Sequence, residues 1–510
     1  MARTYELSND GVVVVIGSGA GGGTLANELA QKGIDVVCLE AGARLVPGDV
    51  VTDAAVMEGR IGWHDRRDGA PVWLCKTVGG TTMRWSGMTP RLQEREFRSR
   101  TSYGLLDNTS LIDWPLTLAE LVPYYDKAEA KIGVAGTQGI PPFPETNNFK
   151  VLKAGAQRVG YTQIDTNGVA INPIERDGRP GCQFLGFCHS GCASQAKWST
   201  LYTEIVKAEE TDHFELRPQC MAVRIEHDNA GRVTSVVYRD AQGAMHQQKA
   251  RAVCVAGNVV ETTRLLLLSK STRFPDGLAN SSGHLGRNYM RHTQAFVHAL
   301  MPGPVNYHRA PVQSGMVRDE HRHDPSRGFA GGYLIQTGAF PPGQVAAAIP
   351  GWGEDAARIM ENYTHLAGLF IVGEDPPQAS NRITLHATDV DDNNLPVPVL
   401  AYEEHPNSVA MRLHGVARGK AIYEALGATW VQGVEDLAIA CHNMGTARMS
   451  ANPRDGVTNR WGQAHDVPNL FVSDGSVFSS SGAPNPTLTI VALAIRQADH
   501  IAARMSRGEL

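Results

Sequence analysis

Residues 11–42 read GVVVVIGSGAGGGTLANELAQKGIDVVCLEAG. The apolar, β-branched run Val12–Ile16 is typical of a buried strand, and the glycine-rich segment Gly17–Gly22 interrupts it with a turn. Thr24–Lys32 then repeats apolar residues at helical spacing, and Gly33 ends this helix before a second apolar run, Ile34–Leu39. The stretch therefore predicts a compact strand–helix–strand unit.

The glycines of this turn have the spacing G-x-G-x-x-G of a dinucleotide-binding motif. Gly17 allows the tight turn, Gly19 lets the backbone approach a pyrophosphate, and Gly22 lets the helix pack closely on the strand. The start of the helix presents unpaired N–H groups to phosphates. Glu40 follows the second strand, where a carboxylate holds a ribose 2′-hydroxyl and repels a 2′-phosphate. The motif therefore disfavours NADP and leaves FAD and NAD as alternatives.

The composition limits the class of protein. The chain has 510 residues, and 47 Lys and Arg against 52 Asp and Glu give a formal net charge of -5, so we expect no general nucleic-acid binding. Neither a secretory signal nor a run of eighteen apolar residues occurs, so no membrane span is predicted. Eight cysteines in so long a chain do not indicate a disulfide scaffold. We therefore expect a cytoplasmic protein of two to four domains.

A second glycine motif, VGGTTMRWSGM at residues 78–88, is the next candidate to contact a cofactor. Two adjacent glycines and small hydroxyl residues suit a loop that is pressed against a flat ring, and a tryptophan can pack at the edge of that ring. An ordinary loop entering the core is the alternative. The predicted cofactor-binding residues of this segment are Gly79, Gly80, Thr81, Trp85, Ser86, Gly87 and Met88.

Two segments near the C-terminus carry the candidate catalytic residues. His442 lies in CHNMGT at residues 441–446, upstream of SDGSVF at 473–478 and GAPNPTLT at 482–489. An isolated histidine is more often structural, but this one precedes a segment in which Asn485 can cap a helix that starts at Pro486. A helix start there favours the negative charge of a reduced flavin. The predicted cofactor-binding residues of these segments are Asp474, Gly475, Pro486 and Thr487.

Three cysteines, Cys182, Cys188 and Cys192, lie within eleven residues. Such a group can ligate zinc or an iron–sulfur cluster, but its spacing fits no zinc pattern and a fourth cysteine is missing nearby. We therefore predict no metal site and interpret the segment as a glycine-rich loop with reduced thiols.

Outside the first unit, the sequence alternates predicted strands, helices and loops. Long loops are expected over residues 133–200, which are rich in Gly, Pro and Asn. Strands are expected at Phe214–Arg217, Ala222–His227, Arg232–Tyr238 and Ala252–Ala256, and the main helices at Leu118–Ile132, Ser408–Leu426 and about Thr487–Met505.

Together these motifs resemble the glucose–methanol–choline (GMC) flavoprotein oxidoreductases over nearly the whole chain. The resemblance rests on the N-terminal motif with Glu40-Ala41-Gly42, the Gly79-Gly80 loop, Trp114-Pro115, Ala256-Gly257 with Glu261-Thr262, His442, and Asn485-Pro486-Thr487-Leu488-Thr489. The last segment looks most like the branch that holds pyranose oxidases, bacterial sugar or sugar-acid dehydrogenases and glycoside 3-oxidases. The cysteine segment resembles that of sugar dehydrogenases with an iron–sulfur cluster, but its spacing departs from theirs.

The resemblance implies an α/β fold, α+β overall, in which a Rossmann-like FAD-binding domain carries an inserted substrate-binding domain on an antiparallel sheet. The predicted FAD-binding domain comprises residues 1–100, 200–290 and 430–510, and the substrate-binding domain comprises residues 101–199 and 291–429. Ala41 and Val223 join the predicted FAD contacts. Some pyranose oxidases attach FAD covalently to a histidine in the loop that matches Thr81–Trp85, and this loop has none, so non-covalent FAD is predicted.

By the same resemblance, His442 is the catalytic base and Asn485 its partner across the substrate hydroxyl. The predicted function is oxidation of a secondary alcohol of a sugar or glycoside, from ring hydroxyl to ketone, with hydride transfer to flavin N5 and with oxygen or another compound as electron acceptor. The alternatives are a dehydrogenase for a polyol, an aromatic alcohol or a sterol, the catalytic subunit of a sugar dehydrogenase complex, a nicotinamide enzyme, and a non-catalytic flavin-binding protein. Tyr333 and Trp352 are candidates to stack on a sugar face, with a structural role as the alternative.

Overall fold

The computed structural model describes residues 3–64, 72–348, 352–434 and 440–510. Its strands are β1 (Val13–Ile16), β2 (Val36–Leu39), β3 (Ile164–Asp165), β4 (Phe214–Arg217), β5 (Met221–His227), β6 (Val233–Arg239), β7 (Met245–Lys249), β8 (Ala252–Val255), β9 (Thr293–Leu300), β10 (Met316–Val317), β11 (Tyr333–Thr337), β12 (Leu366–Gly373), β13 (Arg382–Val390), β14 (Pro396–Ala401), β15 (Trp430–Val434) and β16 (Leu470–Val472). Its α-helices are α1 (Ala20–Ala30), α2 (Ala54–Ile61), α3 (Glu94–Phe97), α4 (Ser99–Tyr103), α5 (Leu118–Ile132), α6 (Asn147–Arg158), α7 (Glu204–Glu209), α8 (Asn258–Leu268), α9 (Pro342–Ala348), α10 (Glu354–Glu361), α11 (Pro406–Glu424) and α12 (Thr487–Ser506).

A five-stranded parallel sheet has the order β16-β8-β1-β2-β4, with β1 at its centre. Val13 and Val15 pack on the face that holds Leu25 of α1, whereas Val12 and Val14 pack in the core on the opposite face. Burial on both faces explains why the strand is a continuous apolar run rather than an alternating one. The predicted α/β fold with a parallel sheet is confirmed.

A six-stranded antiparallel sheet has the order β15-β9-β12-β11-β10-β3. All residues of β9 are buried. Its Val297 shares a core with Val416 of α11, whereas Gln294 and Phe296 face the cavity described below, because neighbouring side chains of a strand point to opposite faces. The strand β15, which opens the predicted segment 430–510, also pairs with β9. The predicted domain boundaries stay a prediction.

Most predicted elements agree with the structure to within a few residues, and two differences have local causes. Helix α1 begins at Ala20 rather than Thr24, because Gly17, at a φ of 98°, turns the chain directly into the helix. Helix α6 lies in a region where only loops were expected. The side chain of Thr146 caps it by accepting a hydrogen bond from the N–H of Phe149, 3.2 Å away, and its buried residues include Phe149 and Leu152, so tertiary packing stabilises it.

Within the described ranges, none of the helices combines the length and the apolar character that a bilayer crossing requires.

Candidate active site

A cavity of about 640 Å³ lies at the carboxyl ends of the parallel strands and reaches the antiparallel sheet. A crevice at this edge of a parallel sheet is where open α/β folds bind ligands. The predicted residues that line it are Gly17, Gly19, Glu40, Ala41, Gly80, Thr81, Trp85, Ser86, Met88, His442, Asp474, Gly475, Asn485, Pro486 and Thr487. Segments that are far apart in the chain therefore line the same cavity.

The glycine-rich turn fits closely against its neighbours. A Cβ atom on Gly17 would lie 2.3 Å from the carbonyl oxygen of Ala256, and one on Gly22 would lie 2.0 Å from the carbonyl oxygen of Gly17. Gly19 stands before α1, and no side chain caps this helix. Its first N–H groups therefore remain available to an anion in the cavity.

The Glu40 carboxylate is held beside this turn. One of its oxygens accepts hydrogen bonds from the N–H and the hydroxyl of Ser18, at 3.0 and 2.6 Å, and the other accepts from the N–H of Gly42 at 2.8 Å. Burial raises the pKa of Glu40, and these hydrogen bonds and Lys76 oppose that rise. The N–H of Gly79 donates to the same Ser18 hydroxyl at 3.0 Å, so the second glycine motif is tied to the first.

The start of α12 forms a second uncapped helix terminus at the cavity. Pro486 and Thr487 line the cavity, and no side chain caps the helix at Pro486. Asp474 accepts hydrogen bonds from the N–H of Ser476 at 2.8 Å and from the hydroxyl of Thr262 at 2.5 Å. These bonds fix the loop that carries Gly475 against α8.

These features match the chemistry of FAD. Glycines that pack against backbone bring the uncapped start of α1 to the position of a diphosphate, Glu40 provides a carboxylate for a ribose, and the uncapped start of α12 suits a ring that gains negative charge on reduction. The residues that would hold FAD are therefore those of the two glycine motifs, Glu40, and the loops at Asp474 and Pro486.

His442 and Asn485 meet at the far end of the cavity. Asn485 Nδ2 lies 3.3 Å from His442 Nε2, although 43 residues separate them in the chain. His442 has a φ of 59°, a left-handed conformation that is uncommon for residues other than glycine and is often found at functional sites. Burial, and then the neighbouring His292, lower the pKa of His442 well below its usual value, so the ring is neutral at pH 7.

Sequence reasoning missed three groups around this pair. His292 Nδ1 lies 2.9 Å from His442 Nδ1. On the other side, Gln336 Nε2 donates to Asn485 Oδ1 at 2.6 Å, and Gln313 Nε2 donates to Gln336 Oε1 at 2.6 Å. All three lie on or near strands of the antiparallel sheet, and no motif marks them. Only the pairing of those strands brings them to the site.

The wall next to the pair is aromatic and amide-lined. Phe296 packs against Phe340 and Phe370, with ring centroids 4.8 and 6.1 Å apart. Gln294, Gln313, Gln344 and Trp73 also line this end. The charged residues among the described lining are Glu40, Lys76, Glu261 and Asp474. Glu40 and Asp474 lie at the parallel sheet, Lys76 is close enough to Glu40 to lower its pKa, and Glu261 lies in the first turn of α8. The described partners of His442 itself, His292, Gln294 and Asn485, are uncharged at pH 7.

Some predicted site residues lie outside the cavity lining. Gly22 packs closely on the backbone of Gly17, and the N–H of Gly79 donates to the hydroxyl of Ser18. Gly87 packs on Ile171, where a Cβ would lie 3.0 Å from the Ile171 side chain. Val223 does not line the cavity, whereas Met221 and Ala222 of the same strand do, because a bulge between Ala222 and Arg224 interrupts the alternation.

Neither aromatic residue proposed to stack on a sugar lines the cavity. Tyr333 is fully buried and its hydroxyl bonds His414 at 2.9 Å. Trp352 is 92% exposed. The phenylalanines that line the cavity are Phe296 of β9, Phe370 of β12 and Phe340 after β11.

Cys182, Cys188 and Cys192 carry free thiols and pack around one apolar cluster. Burial raises the pKa of Cys188 to about 11, so this thiol is protonated at pH 7. Among the residues with described positions, no group of three or more His, Cys, Asp or Glu side chains is arranged to hold a metal ion.

Comparison with known proteins agrees with this geometry. The family models of GMC oxidoreductases match residues 68–294, in the N-terminal model, and residues 377–494, in the C-terminal model. The 2-methyl-1,2-propanediol dehydrogenase of Mycolicibacterium austroafricanum is 33% identical over 97% of this chain and 95% of its own length. The chain belongs to the GMC oxidoreductase family.

Two further comparisons place this GMC oxidoreductase among alcohol and sugar enzymes and support its fold. The fructose dehydrogenase large subunit of Gluconobacter japonicus is 27% identical over 97% of this chain and 98% of its own length. The crystal structure of pyridoxine 4-oxidase from Mesorbium loti has a TM-score of 0.63 at 16% identity, over 96% of this chain and 99% of that chain. The chain is thus a flavoprotein oxidoreductase of the family that acts on alcohols and sugars.

Proposed function

We propose that this protein oxidises a hydroxyl group of an uncharged sugar or glycoside, a ring hydroxyl becoming a ketone, with His442 as the base. The observation that carries the proposal is the partly buried contact between His442 Nε2 and Asn485 Nδ2 at 3.3 Å, in the wall of the cofactor-sized cavity. Bound FAD supplies the acceptor for the hydride that leaves the substrate carbon.

His442 and Asn485 have different roles at the substrate hydroxyl group. His442 is neutral, so its Nε2 lone pair accepts the hydroxyl proton. Asn485 cannot take a proton, and its N–H group donates to the substrate oxygen and orients it. Gln336 holds the Asn485 amide by donating to its oxygen, so the N–H side of that amide faces the reacting hydroxyl group.

The described partners of His442, namely His292, Gln294 and Asn485, are uncharged, which supports a neutral substrate. Against these described groups, a carboxylate or an ammonium group would lose its hydration without gaining an ion-pair partner, which is strongly unfavourable. Gln294, Gln313 and Gln344 offer donors and acceptors to other hydroxyls, and Phe296 offers a flat apolar surface to the hydrogens of a sugar ring.

A non-sugar alcohol is the second candidate. The three phenylalanines Phe296, Phe340 and Phe370 form more apolar surface than a small sugar needs, and the relative from Mycolicibacterium austroafricanum is named for a branched diol. A diol or an aromatic alcohol would place its hydrocarbon part against this wall and its hydroxyl at His442.

An anaerobic substrate panel tests the proposal. Neutral monosaccharides and glycosides, matched sugar acids and amino sugars, and diols and aromatic alcohols are mixed with the protein, and loss of the oxidised flavin spectrum is followed. We expect the neutral sugars or glycosides to reduce the flavin, and their charged counterparts to reduce it at least tenfold more slowly. Reduction by diols or aromatic alcohols alone would select the second candidate, and no reduction by any alcohol would contradict both.

We also propose that FAD is bound without a covalent bond, since the loop Thr81–Trp85 contains no histidine. Denaturation in acid followed by filtration should release the yellow cofactor from the polypeptide. Flavin that stays with the precipitated chain would contradict this proposal.

A further inference from the structure

We propose that His292 is a positioning residue that fixes the proton of His442 on Nδ1, so that Nε2 keeps the lone pair that the reaction needs. This inference rests on the proposed role of His442 as the base. It concerns a residue that lies just before β9 and does not line the cavity, and it assigns a purpose to the close contact between a buried and a partly buried imidazole.

The contact between the two rings requires one donor and one acceptor. Their Nδ1 atoms are 2.9 Å apart, and the ring centroids are 4.9 Å apart at an interplanar angle of 74°. Two neutral imidazoles can form this bond only if one Nδ1 carries a proton and the other does not. Burial lowers the pKa of His292 to about 4 and that of His442 well below its usual value, so both rings are neutral at pH 7.

The amides on the substrate side indicate which ring donates. Gln313 donates to Gln336, which donates to Asn485 Oδ1, both at 2.6 Å. The oxygen of the Asn485 amide is thereby occupied, and its N–H group faces His442 Nε2. An N–H group bonds only to an unprotonated Nε2, so the proton of neutral His442 lies on Nδ1 and is donated to His292.

The surroundings of His292 do not themselves fix the direction. Its Nε2 is buried without a hydrogen-bond partner among the described residues, and its Nδ1 bonds His442. The direction therefore follows from the Asn485 amide on the other side of His442. Gln294 Nε2 also lies near His442 Nδ1, but at 3.4 Å, and a turn of that amide would present its oxygen to the same N–H.

The orientation of this hydrogen-bond chain has a chemical consequence. In the other tautomer, Nε2 of His442 would carry the proton. This nitrogen would then have no lone pair to accept the Asn485 N–H or the proton of the substrate hydroxyl. A chain that runs from Gln313 through Asn485 and His442 to His292 favours the reactive tautomer before substrate arrives.

Two variants of similar size separate this role from simple packing. His292→Asn keeps an acceptor at the δ position, whereas His292→Leu removes it. In the flavin-containing protein labelled with ¹⁵N-histidine, the imidazole nitrogen shifts report the tautomer of His442, whose signals are assigned by their loss in His442→Gln. We expect the Nδ1–H tautomer in the wild type and in His292→Asn, and the Nε2–H tautomer or a mixture in His292→Leu.

Stopped-flow reduction of the flavin gives the second measurement. We expect His292→Leu to be reduced at least about tenfold more slowly than the wild type, the size of effect that follows loss of the hydrogen-bond partner of a metal-bound histidine, and His292→Asn to stay within threefold. An Nε2–H tautomer in the wild type, or equal rates in the two variants, would overturn the proposal. If His292→Leu fails to fold, the wild-type tautomer still decides. If no alcohol reduces the wild-type flavin, the proposed function fails, while the spectrum still tests the hydrogen-bond chain.

Discussion

Replacement of His442 by alanine should slow reduction of the bound flavin by about two to four orders of magnitude, the usual contribution of a general base. The carboxamide of Asn485, which lies 3.3 Å from His442 Nε2, cannot accept a proton in its place. His442 lines the cavity but does not contribute to the glycine motifs, so the variant should retain its flavin. The measurement is anaerobic stopped-flow reduction by the best alcohol of the substrate panel.

His414→Ala is the matched control for this experiment. His414 is also a partly buried histidine, and its ring bonds the hydroxyl of Tyr333 on the far side of the antiparallel sheet. Its removal should change the reduction rate by less than threefold. A His442→Ala rate within threefold of the wild type would remove His442 from the role of base.

Gly21→Ala should lower the stability of the fold by about 3 kcal/mol, at the upper end of overpacking effects, and reduce the flavin content of the purified protein. A Cβ atom at Gly21 would lie 1.6 Å from the carbonyl oxygen of Ser473 and 3.3 Å from the side chain of Ile490. These neighbours are backbone and core, so α1 would have to move away from the loop that carries Asp474. The denaturant midpoint and the ratio of flavin to protein measure both effects.

Gly59→Ala provides the control at a second helical glycine. A Cβ atom at Gly59, in α2, meets nothing within 4 Å, so alanine should stabilise the helix by about 0.5–1 kcal/mol. The same substitution thus has opposite expected effects at the two positions. A Gly21→Ala protein with wild-type stability and full flavin content would show that the contact between α1 and Ser473 is not required.

The predictions that succeeded from sequence rest on local patterns. Val12–Ile16 could be identified as a doubly buried strand because no polar residue interrupts it, and Leu118–Ile132 as a helix because its cap and periodicity agree. Helix α6 was missed because Asn and Gly around it favour loops, while Phe149 and Leu152 find their partners only in the folded core. Val223 was predicted as a cofactor contact by resemblance to the family. The bulge between Ala222 and Arg224, beside which Met221 and Ala222 line the cavity instead, leaves no recognisable pattern in the sequence.

The residues of the candidate site also fall into two groups: those that the sequence marks and those that only the fold brings together. His442 and Asn485 stand in segments whose residue types and order are distinctive. Gln336 is a polar residue within β11, and His292 and Gln313 lie just before β9 and β10. Isolated polar residues in or beside an apolar strand are usually assigned to a solvated face. Their burial and their mutual distances follow from how β9, β11 and β12 pair.

The sequence by itself determined the parallel strand–helix–strand unit. It also marked the two glycine motifs at residues 17–22 and 78–88 and the two segments that carry His442 and Asn485, because each of these is a pattern of residues close together in the chain. The tertiary structure alone decided which groups surround His442: the phenylalanine wall, its uncharged described partners and the close contact with His292. These depend on strand register and on contacts across more than a hundred residues, and the free energy of such contacts is fixed only when the chain is folded.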